Sequence, residues 1–156
     1  KIKKAAEITY FSGIGDCKEL ESLTLEGTSY VLIEMPFYSW DDSVINDLLN
    51  IKLHLGLNII LVHIDRYIKL GLKKYIHKLV RCEGILFQVN GEGILDRRSF
   101  KFIKNLYLNG LVSLLGSDMH NLTTRKENLE EAVYKLADVS DKMLVRIDGI
   151  QQFLIR

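Results

Sequence analysis

Apolar residues fall into short runs separated by longer segments in which they recur every three or four positions. Runs of strand length stand at 30–34 (Tyr-Val-Leu-Ile-Glu), 58–63 (Asn-Ile-Ile-Leu-Val-His), 85–90 (Ile-Leu-Phe-Gln-Val-Asn) and 111–116 (Leu-Val-Ser-Leu-Leu-Gly). Apolar side chains at consecutive positions are expected of strands covered on both faces, as in a parallel sheet. The intervening segments have helical period. Over 41–55, Val44, Ile45, Leu48, Leu49, Ile51 and Leu55 form one broad stripe, opened by Asp41, Asp42 and Ser43 and stopped by Gly56. Further helices are predicted over 68–82, over 97–108 (closed by Asn109-Gly110), over 125–138 and over 142–156, the last with a break at Gly149. Strand and helix alternate with short connections, which predicts an α/β fold of parallel strands joined by right-handed crossovers. No linker-like or low-complexity stretch divides the chain, so residues 1–156 are read as one unit.

Isolated polar residues punctuate the apolar runs. Glu7 follows Lys4-Ala5-Ala6, Glu34 closes the 30–34 run, and His63 follows Ile59-Ile60-Leu61-Val62. Asn90 ends the next run, and Asp118 with His120 follows the last. The steps from Glu7 to Glu34, His63, Asn90 and Asp118 are 27, 29, 27 and 28 residues, one βα unit each. This predicts a polar group at the carboxyl end of every strand, the end at which βα barrels carry their active sites. Carboxylates and imidazoles that converge in a cleft are ligands for Zn, Mn or Fe, and are costly to bury without a cation. Arg66 and Arg125 lie three residues after His63 and five after His120. Planar guanidinium groups at a metal mouth suit phosphate, since one fork binds two oxygens. A bland reading competes at each position: Glu7 as a solvated terminus, His63 as a core histidine, either arginine as a surface ion pair. His54, His77, the Lys1–Lys4 cluster and Lys73-Lys74 read as surface. Cys17, Cys82, Tyr67, Tyr75, Tyr107 and Tyr134 read as packing residues.

Composition narrows the class. Hydrophobic residues are 47% and charged residues 26% of 156, with 11 Gly and 1 Pro, which excludes a disordered or collagen-like chain. A net charge of +1 with no long basic run gives no argument for nucleic acid or an anionic membrane. The longest apolar stretch, 57–62, contains Asn58 and is far shorter than a membrane span. Two cysteines make no disulfide framework, so a reducing, cytoplasmic setting is expected.

The motif Gly-Ser-Asp-Met-His-Asn at 116–121, followed by Arg125, resembles the terminal motif of the polymerase-and-histidinol-phosphatase (PHP) superfamily. Within it, the chain is most similar to the bacterial tyrosine-protein phosphatases encoded with capsule and exopolysaccharide genes. The likeness extends to Ala-Glu-Ile at 6–8, Tyr-Val-Leu-Ile-Glu-Met-Pro-Phe at 30–37, Val-His-Ile-Asp-Arg-Tyr at 62–67 and Gln-Val-Asn at 88–90. The resemblance implies a distorted (β/α)7 barrel, of the TIM-like PHP type, with two or three divalent metal ions. Manganese is the usual metal, with zinc, iron and magnesium as alternatives. It also implies hydrolysis of phosphotyrosine on a partner, a bacterial tyrosine kinase. By position, Glu7, Glu34, His63, Asp118 and His120 would be metal ligands, and Arg66 and Arg125 would hold the phosphate. Oligomeric state, a homo-oligomer included, is left open.

Departures from the family pattern accompany the match. The family opens with a strand bearing His-x-His, which is not found here, so the chain is read as the C-terminal two-thirds of one PHP-type domain. Its first residue is not Met, and a fragment of a longer protein is expected rather than a truncated descendant. Ile64-Asp65 stands where the family usually has Pro-Glu, and Met119 where it usually has Ala. Two rival functions follow: a degenerate domain that binds a phosphoprotein without turnover, and a PHP phosphatase acting on a small phosphate ester.

Overall fold

A computed structural model of the chain describes residues 2–38, 40–121, 123 and 127–155. Five strands, β1 (Glu7–Thr9), β2 (Tyr30–Glu34), β3 (Asn58–Leu61), β4 (Ile85–Asn90) and β5 (Leu114–Gly116), form one sheet in chain order. Every pair is parallel. Five consecutive strands laid side by side in this way are five staves of a βα barrel, with β1 and β5 as the outer two.

The crossovers are helical. They comprise α1 (Asp42–Leu55), α2 (Ile64–Lys69), α3 (Lys73–Leu79), α4 (Gly91–Leu95), α5 (Arg97–Leu108) and α6 (Leu129–Ala137), followed by α7 (Asp141–Ile155); two 3-10 turns lie between β1 and β2. Helix α1 begins and ends where its sequence dictates. The Asp41 carboxylate accepts from the Ser43 and Val44 N–H groups at 2.9 and 3.1 Å, satisfying two donors that a helix start leaves open. At the other end Gly56 takes φ 68° and returns its N–H to Lys52.

Alternation gives the sheet two different faces. Val31, Ile33, Ile59, Leu61, Phe87 and Val89 point into the main core, against the buried stripe Val44, Ile45, Leu48 and Ile51 of α1. Leu32, Ile60, Val62, Leu86 and Leu114 point the other way and are covered by Leu25 with Ile150 and Leu154 of α7. We call this second side the inner face.

Several details depart from the sequence reading. The helix predicted over 68–82 is two helices, because Gly71 adopts φ 81° and ends α2 before α3 begins; α2 itself starts at Ile64, directly after His63. The break predicted at Gly149 is not there: α7 runs through it, held by Ile147 and Leu154, both buried, on either side. Strands β3 and β5 are shorter than their apolar runs, so Val62 and His63 lie beyond β3. Tyr134 is largely exposed rather than packed, whereas Tyr67, Tyr75 and Tyr107 are buried.

Candidate metal centre

Register decides which side chains meet. Glu7 pairs with Leu32 and Thr9 with Glu34, so Glu7 points to the same inner face as Leu32 and Glu34. Glu7 therefore opens its strand instead of closing it, yet its side chain still reaches the common mouth. Gln88 and Asn90, two apart on β4, share that face, opposite Leu114 and Gly116 of β5. His63 arrives differently. It leaves β3 in the left-handed region (φ 56°, ψ 38°), which turns its ring back over the carboxyl ends of the strands. Asp118 does the same beyond β5, at φ 51°.

Three of the predicted ligands converge. One ligand atom each from Glu7, Glu34 and His63 lie within 4.8 Å of one another. His63 is buried, and its Nε2 stands 3.1 and 3.2 Å from the two carboxylate oxygens of Glu7. Arg66 binds the second carboxylate of this group and a third beyond it: Nη1 donates to Glu34 Oε1 at 3.0 Å, and Nη2 donates to Asp118 Oδ2. Its guanidinium also lies 5.9 Å from the centroid of the half-exposed Phe37 ring. Asp118 is thus joined to the cluster through Arg66. His120 is exposed and turns toward its own loop, Nδ1 standing 2.8 Å from the Asp118 carbonyl oxygen. Arg125 lies outside the described residues.

Two carboxylates and a neutral imidazole form a donor set for a borderline or hard divalent cation, and three negative groups against one arginine leave charge for a cation to offset. The residues present fit such an ion. A cavity of about 360 Å³ runs from Glu7, His63 and Asp118 along the apolar inner face.

Around the ligands lies a set of groups that the sequence reading did not single out for chemistry. Asp65, noted only as a departure from the family pattern, is buried, and burial pushes its carboxyl above the usual range although its Oδ1 accepts from the Asn90 N–H at 2.9 Å. An added Cβ at Gly93 would sit 2.2 Å from Asp65 Cβ, so the backbone of α4 fits this acid only as glycine. Met35, next to Glu34, donates its N–H to the Tyr67 hydroxyl at 2.8 Å. Gln88 gave one signal in advance, its place two residues before Asn90 on an alternating strand. Neither His54 nor His77 joins the cluster: His54 meets Asp16 at 2.6 Å on the surface, and His77 stands edge-on to Phe102.

Comparison with known proteins follows the same lines. The tyrosine-protein phosphatase CpsB of Streptococcus agalactiae serotype III (strain NEM316) is 32% identical over 146 residues, covering 87% of this chain and 59% of the relative. The protein of the same name from serotype V (strain ATCC BAA-611 / 2603 V/R) gives the same identity and coverage. The chain thus spans about three-fifths of the length of these curated relatives. Among solved structures, one from a study of YwqE from Bacillus subtilis and CpsB from Streptococcus pneumoniae, described as unique metal-dependent tyrosine phosphatases, matches with a TM-score of 0.75. It is 20% identical and covers 96% of this chain and 63% of that one, which shows the shared fold. The pattern of the family described as capsular polysaccharide synthesis, CpsB/CapC, matches residues 1–147, and the chain belongs to that family.

Proposed function

We propose that the protein to which this chain contributes is a metal-dependent phosphatase that hydrolyses phosphotyrosine on a protein, with a bacterial tyrosine kinase of capsule or exopolysaccharide synthesis as its partner. The observation that carries this reading is the convergence of Glu7, Glu34 and His63 on one point of the inner face, with Arg66 beside them. The names of the relatives support it, as does the fold they share with this chain. In this reading residues 1–156 are the C-terminal two-thirds of a PHP-type domain.

Glu7, Glu34, His63, Asp118 and His120 would hold the metal, manganese in the first instance. A divalent cation at that place supplies Lewis-acid polarisation of a phosphoryl oxygen and activation of water. The chain's own residues do the rest. Arg66 presents a planar fork, now paired with Glu34 and Asp118, and would exchange these carboxylate partners for phosphate oxygens when substrate arrives. Arg125, on the segment after His120, would add a second fork. Stabilisation by fixed positive groups is the principal protein contribution to phosphoryl transfer, which needs little covalent help. Phe37 beside Arg66 offers an aromatic surface to the phenyl ring of a phosphotyrosine. No helix among the described residues is long and apolar enough to cross a membrane. The proposed setting is the cytoplasm.

The test is metal-dependent hydrolysis of p-nitrophenyl phosphate and of a phosphotyrosyl peptide, with manganese, zinc and magnesium in parallel. Turnover abolished by Asp118→Ala and by Glu34→Gln supports the assignment. Metal uptake without turnover points instead to a phosphoprotein-binding domain, and preference for a small ester over the peptide to a small-molecule phosphatase.

A further inference from the structure

His63 presents two nitrogens to two different neighbours, and which one faces the cation depends on what the other meets. Its Nδ1 stands 3.2 Å from Asn90 Oδ1 and 3.1 Å from Asn90 Nδ2, so the amide offers both an acceptor and a donor to the same ring atom. Its Nε2 faces Glu7. Two hydrogen-bond arrangements are open to the ring. In one, Nδ1–H donates to Asn90 Oδ1 and the Nε2 lone pair points at the carboxylate cluster, ready to ligate. In the other, Asn90 Nδ2 donates to Nδ1 and Nε2–H donates to Glu7, which blocks ligation.

We infer that Asn90 and Gln88 are positioning residues that set the tautomer and orientation of His63 in favour of Nε2 ligation, an inference that rests on the metal reading above. Gln88 holds both ends of the arrangement. Its Oε1 accepts from the His63 backbone N–H at 2.7 Å, which secures the left-handed turn that aims the ring. Its Nε2 donates to Asn90 Oδ1 at 2.7 Å, which fixes that oxygen beside Nδ1 and so favours the first arrangement. Asn90 is anchored in turn through its own N–H to Asp65. The slot for the Gln88 amide exists because Gly116, the β5 partner of Asn90, carries no side chain: a Cβ there would lie 2.3 Å from Gln88 Nε2. Asn90 is buried, so water does not replace its amide at the ring. Partners of this kind behind a ligating histidine raise its basicity and fix its orientation, and their loss costs about 10- to 100-fold in metal affinity.

The test uses manganese and zinc binding by calorimetry on the full chain, together with 15N NMR of the His63 ring in metal-free protein. Asn90→Leu should weaken metal binding about 10- to 100-fold, with urea unfolding used to confirm a folded chain. Asn90→Asp, which keeps only acceptors, should rescue binding and shift the ring to the Nδ1–H form. Gln88→Leu should fall between them. Asn90→Leu binding metal within about twofold of wild type, with the His63 tautomer unchanged, overturns the inference. A wild-type chain that takes up no metal overturns the metal reading itself, while the tautomer shift between Asn90→Asp and Asn90→Leu still decides the positioning role.

Discussion

Tyr67→Phe isolates one buried hydrogen bond beside the cluster. Tyr67 is fully buried, its ring edge-on to Trp40 at 5.1 Å, and phenylalanine preserves that packing. What disappears is the acceptor for the Met35 N–H, held at 2.8 Å in a place without solvent. An orphaned buried donor costs about 1–3 kcal/mol, partly offset because the hydroxyl itself no longer has to be desolvated, so a loss of about 1–2 kcal/mol is expected. In a chain of this size that lowers Tm by about 2–8 °C, at about 2–4 °C per kcal/mol. Urea unfolding should show a lower midpoint with an unchanged m-value, and the Met35 amide should exchange faster. The comparison variant is Tyr134→Phe, whose exposed ring carries only a long contact to Glu130 and which should stay within about 0.5 kcal/mol of wild type. Burial pushes the Tyr67 hydroxyl well above its ordinary value near 10. The wild-type advantage is therefore complete below about pH 10 and narrows above it, as the unfolded chain ionises first. A midpoint equal to wild type, or no change in Met35 exchange, refutes the account of this hydrogen bond.

Glycines give a matched pair of opposite sign. Gly149→Ala, in the exposed middle of α7 with nothing near the new methyl group, should raise stability by about 0.5–1 kcal/mol in thermal unfolding. Gly93→Ala, which drives a methyl into Asp65, should lower it by about 1–3 kcal/mol and loosen Asn90 as well, read by amide exchange. At the start of α1, the Ser43 hydroxyl and the Val44 N–H hold the Asp41 carboxyl below its usual range. Its contribution is present above the unfolded value of about 3.8 and is lost as pH falls through the folded one; acid titration should show wild type losing its margin over Asp41→Asn in that window.

Much of this fold is written in local pattern. The runs at 30–34 and 85–90 became β2 and β4 residue for residue, and 97–108 became α5, because consecutive apolar positions and a capped amphipathic stripe each have one economical solution in a parallel α/β layer. The segment after His63 misled because Gly71 stops α2 by conformation, a signal weaker than the continuing apolar period around it. Within the centre, regular spacing pointed to Glu7, Glu34 and His63, since one βα unit returns the chain to the same end of the sheet. The particular contacts of Gln88, Asp65 and Tyr67 were not legible because they join distant segments. Gln88 to His63 spans 25 residues, and no periodicity encodes it.

Among the described residues, the two non-glycine positions with left-handed backbone are His63 and Asp118, both of them proposed ligands. A Cβ in that region costs about 1–3 kcal/mol and persists only where its surroundings compel it. Glycine at either place would relax the chain at the same stroke that deletes a donor. In the reading proposed above, His63 and Asp118 bear that backbone cost for what their side chains do at the mouth.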